Sequence, residues 1–210
     1  ESNFILITGS YGTNKPATKK NSRGCYSVND SNKLLNNSHL MYWFSHNQYF
    51  NHKKYKPFPF GICITQLNDD PNKFACCLEK KIIKEKLLTQ VAFSHKNHIC
   101  RTILPKIPFQ MPKEYFMNIM KSKFILSPIG DQDDCFRHWE AIGLGTIPIT
   151  NISKDIYYGL FKDSMHYVDD TNKMLEILKN PVILSYGGTN REMICVNYWS
   201  NYIKDFCLKQ

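Results

Sequence analysis

Arg137 and Glu140 stand three residues apart in a stretch that reads as helix, so both project from one helical face. A guanidinium suits a diphosphate because its planar fork matches phosphate oxygens. A carboxylate suits the paired hydroxyls of a ribose because it only accepts hydrogen bonds. Upstream, the chain reads as a strand ending at Ser127, then a loop through Pro128 and Gly130, then a helix opening near Asp134. Strand-to-helix loops of this kind lie at the carboxyl edge of a parallel sheet, where ligands bind. Helix N-termini attract phosphate through their N–H groups and dipole, and Gly130 would let the backbone come close. Spacing alone equally allows an ordinary amphipathic helix, with Arg137 and Glu140 as a surface ion pair and Trp139 in the core.

Other constellations carry less. Asp131-Gln132-Asp133 spells D-x-D, a pattern that can hold a divalent cation against a diphosphate. Helix capping is the preferred reading of these carboxylates, and no metal is expected. His95, His98 and Cys100 lie close together but lack a fourth ligand at useful spacing. The eight Cys form no C-x-x-C pair, so neither a zinc ribbon nor a redox motif is expected.

The elements that would position the central stretch alternate. Residues 4–8 read as a buried strand running into the glycine-bearing loop Gly9-Ser10-Tyr11-Gly12. A short helix follows, capped by Ser31 or Asn32, then a strand over 39–44 and a proline-bounded extended stretch over 57–62. Residues 77–88 have apolar positions 78, 82, 83 and 87, which is helical spacing with a lysine-rich outer face. Residues 90–94 read as a strand, 112–121 as a helix opened by Pro112, and 124–127 as a strand. A helix over 134–144 should end at Gly145. A strand at 146–150, a helix at 154–161, a strand at 165–168, a helix at 171–179 and a last helix at 189–206 complete the pattern. Alternation of this kind predicts an α/β fold with parallel sheets.

Composition narrows the class. The chain has 210 residues, 42% of them apolar, enough for a packed core in one or two domains. The net charge of +9 comes from scattered Lys and Arg, and runs such as Lys19-Lys20 are too short for a nucleic-acid arm. No nucleic-acid partner is expected. No apolar run reaches the roughly 18 residues needed to span a bilayer. The chain begins at Glu1, so an N-terminal segment is expected to have been removed, and its compartment of origin, cytoplasm or Golgi lumen, stays open.

The stretch from Lys123 to Thr150 resembles the donor-binding signature of exostosin-like glycosyltransferases, including the ribitol xylosyltransferase-like branch. The positions shared with its S-P-x-G…D-x-x-R-x-W-E-A…G-x-I-P-I pattern are Ser127, Pro128, Gly130, Asp134, Arg137, Trp139, Glu140, Ala141, Gly145, Ile147, Pro148 and Ile149. Weaker likeness extends through Leu35-Asn36, Leu40 and Trp43-Phe44-Ser45-His46-Asn47, and through Pro57-Phe58-Pro59-Phe60-Gly61. Arg101, after Phe93-Ser94, falls where the family has a second phosphate-side arginine.

The resemblance implies a GT-B fold, with two small Rossmann-like domains facing across a cleft. It places an acceptor-side domain at 1–88, a donor domain at 89–188 and a C-terminal helix, 189–210, crossing back to the first domain. It implies an inverting transferase that moves a sugar, xylose from UDP-xylose by preference, to the hydroxyl of an oligosaccharide or glycoprotein glycan, with no further cofactor. The implied donor set is Ser94, Arg101, Ser127, Pro128, Gly130, Asp134, Arg137 and Glu140, with His46 and Asn47 on the acceptor side and Arg137 also stabilising the leaving diphosphate. Similar enzymes often carry an Asp after the first strand, where this chain has Gly9-Ser10-Tyr11-Gly12-Thr13. Asp30 is therefore favoured as the catalytic base, with Asp69, Asp70 and His46 as alternatives. The missing Asp leaves a second reading open, a non-catalytic nucleotide- or carbohydrate-binding module.

Overall fold

The computed structural model describes residues 2–9, 28–46, 48, 50–62, 72–80, 83–93, 99–130 and 133–208. The fold is α/β, and among the described residues two sheets form, in which every strand pair is parallel. The chain divides into two compact units. The first comprises Glu1–Phe60, Gln132–Asp134 and Ser153–Lys162; the second comprises Gly61–Asp131, Cys135–Ile152 and Asp163–Gln210.

In the first unit, β1 (Phe4–Thr8), β2 (Leu40–Ser45) and β3 (Tyr55–Pro57) form a sheet in that order. Helix α1 (Val28–Leu35) precedes β2. Ser31 is buried inside this helix and not at its start, where a cap was expected. Leu35, Leu40, Trp43 and Tyr55 form the core, with Trp43 stacked on Tyr55 at 4.4 Å. Trp43 cannot be buried without a partner for its indole N–H. That proton goes to Thr8 Oγ1 at 2.8 Å. Pro57, which lacks an N–H, ends the edge strand β3, where no ladder bond is lost. Helix α5 (Lys154–Phe161) belongs to this unit although it lies far along the sequence. Its buried Tyr157 donates to the carbonyl of Gln48 at 3.2 Å.

The second unit holds β4 (Lys86–Thr89), β5 (Ser122–Leu126), β6 (Ile147–Thr150) and β7 (His166–Tyr167), hydrogen-bonded in that order. Strand alternation sorts the core. Ile125 points into a cluster with Phe74, Phe116, Ile119, Ala141 and Leu144, drawn from helices α2 (Asn72–Glu79), α3 (Pro112–Met120) and α4 (Phe136–Gly143) and the turn after α4. Phe124 and Leu126 point the other way, toward Ile147, Ile149, Met174 and Ile177, the last two on α6 (Thr171–Lys179). A sheet covered on both faces explains the continuous apolar character of β5 and β6.

Residues 77–88 do not form one helix. Helix α2 ends at Glu79, and Lys86–Thr89 is a strand paired with Ser122, Phe124 and Ile125. Leu87 and Leu88 both pack against the Phe124 cluster, so tertiary pairing overrides the helical period. The strand expected at 90–94 accordingly ends at Thr89. The units divide at Phe60 and not near residue 88, because Ile62 and helix α2 pack against the Ile125 cluster and residues 86–89 pair with β5. The last helix is split: a 3-10 turn at Arg191–Ile194 gives way to α7 (Val196–Leu208), and Cys195 between them is extended. Trp199 of α7 packs edge-on against Trp139 of α4 at 5.6 Å. Among the described residues, no helix is long and apolar enough to cross a membrane.

The end of α4 follows the sequence closely. Gly145 has φ +72°, and its N–H and that of Thr146 close back onto the carbonyls of Ile142 and Ala141. Cations sit where the helix dipole is negative: Lys84 Nζ donates to the Leu144 carbonyl at 3.0 Å, and Arg191 Nε to that of Gly143 at 2.7 Å. Burial and the neighbouring Arg191 lower the Lys84 pKa to about 8.

Candidate functional site

The β5–α4 connection builds the site. Helix α4 starts at Phe136, two residues later than expected, with extended Cys135 as its N-cap. Asp133 and Asp134 before it are therefore not its N-cap residue. Asp134 is fully buried and belongs to the first unit, where its Oδ2 accepts from the N–H of Phe60 at 3.0 Å. The cap is held by His138. Its Nδ1 accepts from the N–H of Cys135 at 3.3 Å, so the ring proton is on Nε2. Nε2 lies 3.2 Å from the Ser127 carbonyl and 3.1 Å from Thr150 Oγ1. One buried imidazole thus ties the ends of β5 and β6 to the start of α4. His138→Ala removes these three contacts and opens a cavity at a buried position, which costs roughly 2–4 kcal/mol of stability. Urea unfolding measures it, and a loss under about 0.5 kcal/mol, the scatter of ordinary surface changes, would remove this role.

The loop itself is clamped from behind. Arg101 is buried, with Nε donating to the Ile129 carbonyl at 2.8 Å and Nη2 to that of Pro128 at 3.1 Å. A Cβ at Gly130 would lie 2.5 Å from Arg101 Nη2. In this structure, the close approach that Gly130 permits is that of Arg101. The N–H of Ile129 is held by Asn151 Oδ1 at 3.0 Å, and Ser127 Oγ lies 3.8 Å from Cys135 Sγ.

Arg137 is the second residue of α4. Its guanidinium lies 5.3 Å from the centre of the Phe93 ring, and that of Arg101 lies 5.2 Å from the same ring. Both cations thus lean on one aromatic side chain. Arg137 Nη2 donates weakly to the Ala92 carbonyl at 3.4 Å, while its Nε is enclosed with no hydrogen-bond partner among the described residues. One turn on, Glu140 is 0% exposed. Its Oε2 accepts from Tyr115 Oη at 2.6 Å, and its Oε1 is enclosed with no partner among the described residues. Burial pushes the Glu140 pKa up to about 7; the Tyr115 bond and the Arg137 charge hold it back, and Cys135 adds to the rise. Burial also works against the Arg137 charge, but Tyr115, Cys135 and Glu140 outweigh it and leave that pKa raised. The pair is therefore no surface ion pair. Trp139, between them in sequence, is in the core at 1% exposed.

In the first unit, His46 follows β2 at the carboxyl edge of its sheet. Its ring lies parallel to Phe58 at 6.2 Å and edge-on to Phe60 at 5.5 Å. A Cβ at Gly9 would lie 2.7 Å from His46 Cε1, so the glycine after β1 makes room for the imidazole. Burial lowers the His46 pKa, with the Asp134 carboxylate acting the other way. Asp30 is exposed in the first turn of α1. Asn47, Asp69, Asp70, Ser94, His95, His98 and Asp131 lie outside the described residues. Among the described residues, no group of three or more His, Cys, Asp or Glu is placed to hold a metal ion.

Tyr115, Phe93 and His138 were not singled out from sequence. Tyr115 is 25 residues from Glu140, and no motif links them. His138 sits inside the R-x-W-E pattern at its unspecified position.

The chain belongs to the family of the RXYLT1 C-terminal domain, whose model matches residues 65–188, more than half of the 210 residues. This exostosin-like family is one of glycosyltransferases. The matched region contains β4 to β7 and both Arg137 and Glu140. No curated protein matches the chain.

Proposed function

We propose that the protein is a GT-B glycosyltransferase that moves a sugar, xylose from UDP-xylose by preference, with inversion onto a glycan hydroxyl. The carrying observation is a pair of enclosed atoms of opposite character on α4, Arg137 Nε and Glu140 Oε1, which have no hydrogen-bond partner among the described residues. Leaving a buried donor or acceptor unpaired costs free energy in the empty protein. A diphosphate at Arg137 and a ribose hydroxyl at Glu140 would recover it. Because Glu140 is fully enclosed, binding requires the side chains over it to shift. Arg101 serves by fixing the 127–130 loop, its Nε and Nη2 being committed to carbonyls.

The acceptor proton needs a base. His46 fits better than Asp30, because burial favours its neutral, proton-accepting form and it stands at a sheet edge. Diphosphate charge is balanced by Arg137 and the positive end of the α4 dipole, with no divalent metal. One set of measurements tests this: UDP binding by calorimetry and UDP release from UDP-xylose, with and without EDTA. Both persist in EDTA if the reading is right; loss of release in EDTA with recovery on adding Mn²⁺ overturns the metal-free mechanism. His46→Gln is expected to stop release while sparing UDP affinity. If Asp30→Asn does so instead, the base is Asp30. UDP binding with no release from the parent at all favours the non-catalytic module that the absent loop Asp suggests.

A further inference from the structure

We propose that Tyr115 is a positioning residue of the nucleotide site: its phenol holds one oxygen of Glu140 and so presents the other, Oε1, to a ribose hydroxyl. This rests on the nucleotide reading above. A carboxylate on a glutamate side chain turns broadly about its last torsion. Tyr115 Oη, donating at 2.6 Å to Oε2, removes that freedom. The phenol is itself fixed from below. Tyr115 lies on α3, whose Phe116, Ile119 and Met120 are buried in the core against Ile125 and Ala141. The ring of Phe116 stands edge-on to Tyr115 at 5.1 Å.

The division of labour between the two oxygens is the point. Oε2 has the Tyr115 proton, and among the described residues no donor reaches Oε1. Arg137, one turn back on the same helix, likewise keeps its Nε unpaired. Tyrosine meets the need because a phenol can give one proton to one oxygen and no second proton to the other. A lysine or arginine at this place would carry further donors and could occupy both. Burial, with the Glu140 carboxylate beside it, raises the Tyr115 pKa, so the phenol keeps the proton it donates.

Tyr115→Phe removes the donor and keeps the ring. Its UDP affinity is expected to fall about tenfold, and its preference for UDP over 2′,3′-dideoxy-UDP to shrink. Thermal unfolding across pH gives a second readout. Loss of the bond that holds the Glu140 pKa down should move the pH at which stability levels off to a higher value. The parent alone supplies a third, which needs no variant to fold: it is expected to bind UDP at least about tenfold tighter than the dideoxy analogue. Equal affinity of the parent for the two overturns the proposal. Unchanged UDP affinity in Tyr115→Phe, with only stability altered, leaves Tyr115 a structural partner and also overturns it. Tighter UDP binding in the variant would make Tyr115 a competitor for Glu140, again overturning it. A parent that binds no UDP at all ends the nucleotide reading itself, and the role of Tyr115 with it.

Discussion

Arg137→Ala is expected to slow UDP release from UDP-xylose by about a hundredfold to a thousandfold, the usual effect of removing one preorganised group from a developing anion. Arg137 sits in the first turn of α4, where the helix dipole favours negative charge. Phe93 supports the guanidinium from one side, and Nε is enclosed without a partner. Its charge is secure: burial opposes it, but Tyr115, Cys135 and Glu140 together keep the pKa above the ordinary value. As the sugar leaves, negative charge gathers on the diphosphate. A fixed cation in a water-poor site stabilises that charge more than it stabilises the bound donor. Turnover should therefore fall more than UDP affinity does. Arg137→Lys is expected to restore little, because an ammonium lacks the planar fork. Turnover of Arg137→Ala within about threefold of the parent would place the diphosphate elsewhere, since even one charged hydrogen bond is worth about tenfold or more.

Glu140→Gln is expected to make the empty protein more stable at pH 8 and at the same time a poorer nucleotide binder. The folded-state pKa of Glu140 is about 7, against an ordinary 4.5. Between those values the folded state binds more protons than the unfolded chain, so stability falls as pH rises from about 4.5 through 7 and is flat above. Holding the ionised carboxyl in its buried place costs about 3 kcal/mol at pH 8. Glutamine is never charged and keeps an oxygen for Tyr115, so the variant should escape most of that cost. Part is returned because its amide N–H groups are new donors in a buried place and must themselves be taken from water. The net gain expected at pH 8 is about 1–3 kcal/mol, vanishing near pH 4.5. UDP affinity should fall about tenfold to a hundredfold, since a neutral amide accepts more weakly than a carboxylate. Urea unfolding at the two pH values and calorimetry with UDP read both effects. Equal stabilisation at both pH values would remove the titration argument, and unchanged affinity would remove Glu140 from the site.

The two results together describe a residue kept at the expense of stability. A buried carboxyl with one oxygen lacking a donor among the described residues is a costly structural choice, because its charge is taken from water and only partly compensated. Strained or costly groups of this kind gather at functional sites.

Much of this was legible in the amino-acid sequence. The alternation of apolar strands with amphipathic helices fixed the α/β class, because side-chain period follows backbone geometry directly. Gly145 marked the end of α4, since a left-handed turn there excludes most other residues. The dense run from Ser127 to Ile149 marked the family, because adjacent residues of one strand–loop–helix unit stay adjacent in sequence. The remainder depended on contacts between distant residues. Residues 77–88 carry a helical period, and only pairing with β5 makes 86–89 a strand, while packing of Ile62 and α2 on the second core sets the division of the chain at Phe60. Helix α5 joins the first unit, and no local signal in its sequence says so. Arg137 and Glu140 could have been a surface ion pair; burial against Tyr115 from α3 and Phe93 after β4 decided otherwise. The pKa of a carboxyl depends on what surrounds it in three dimensions. The composition of one helix could name Glu140 but could not say that it would be enclosed, half-satisfied and raised in pKa to about 7.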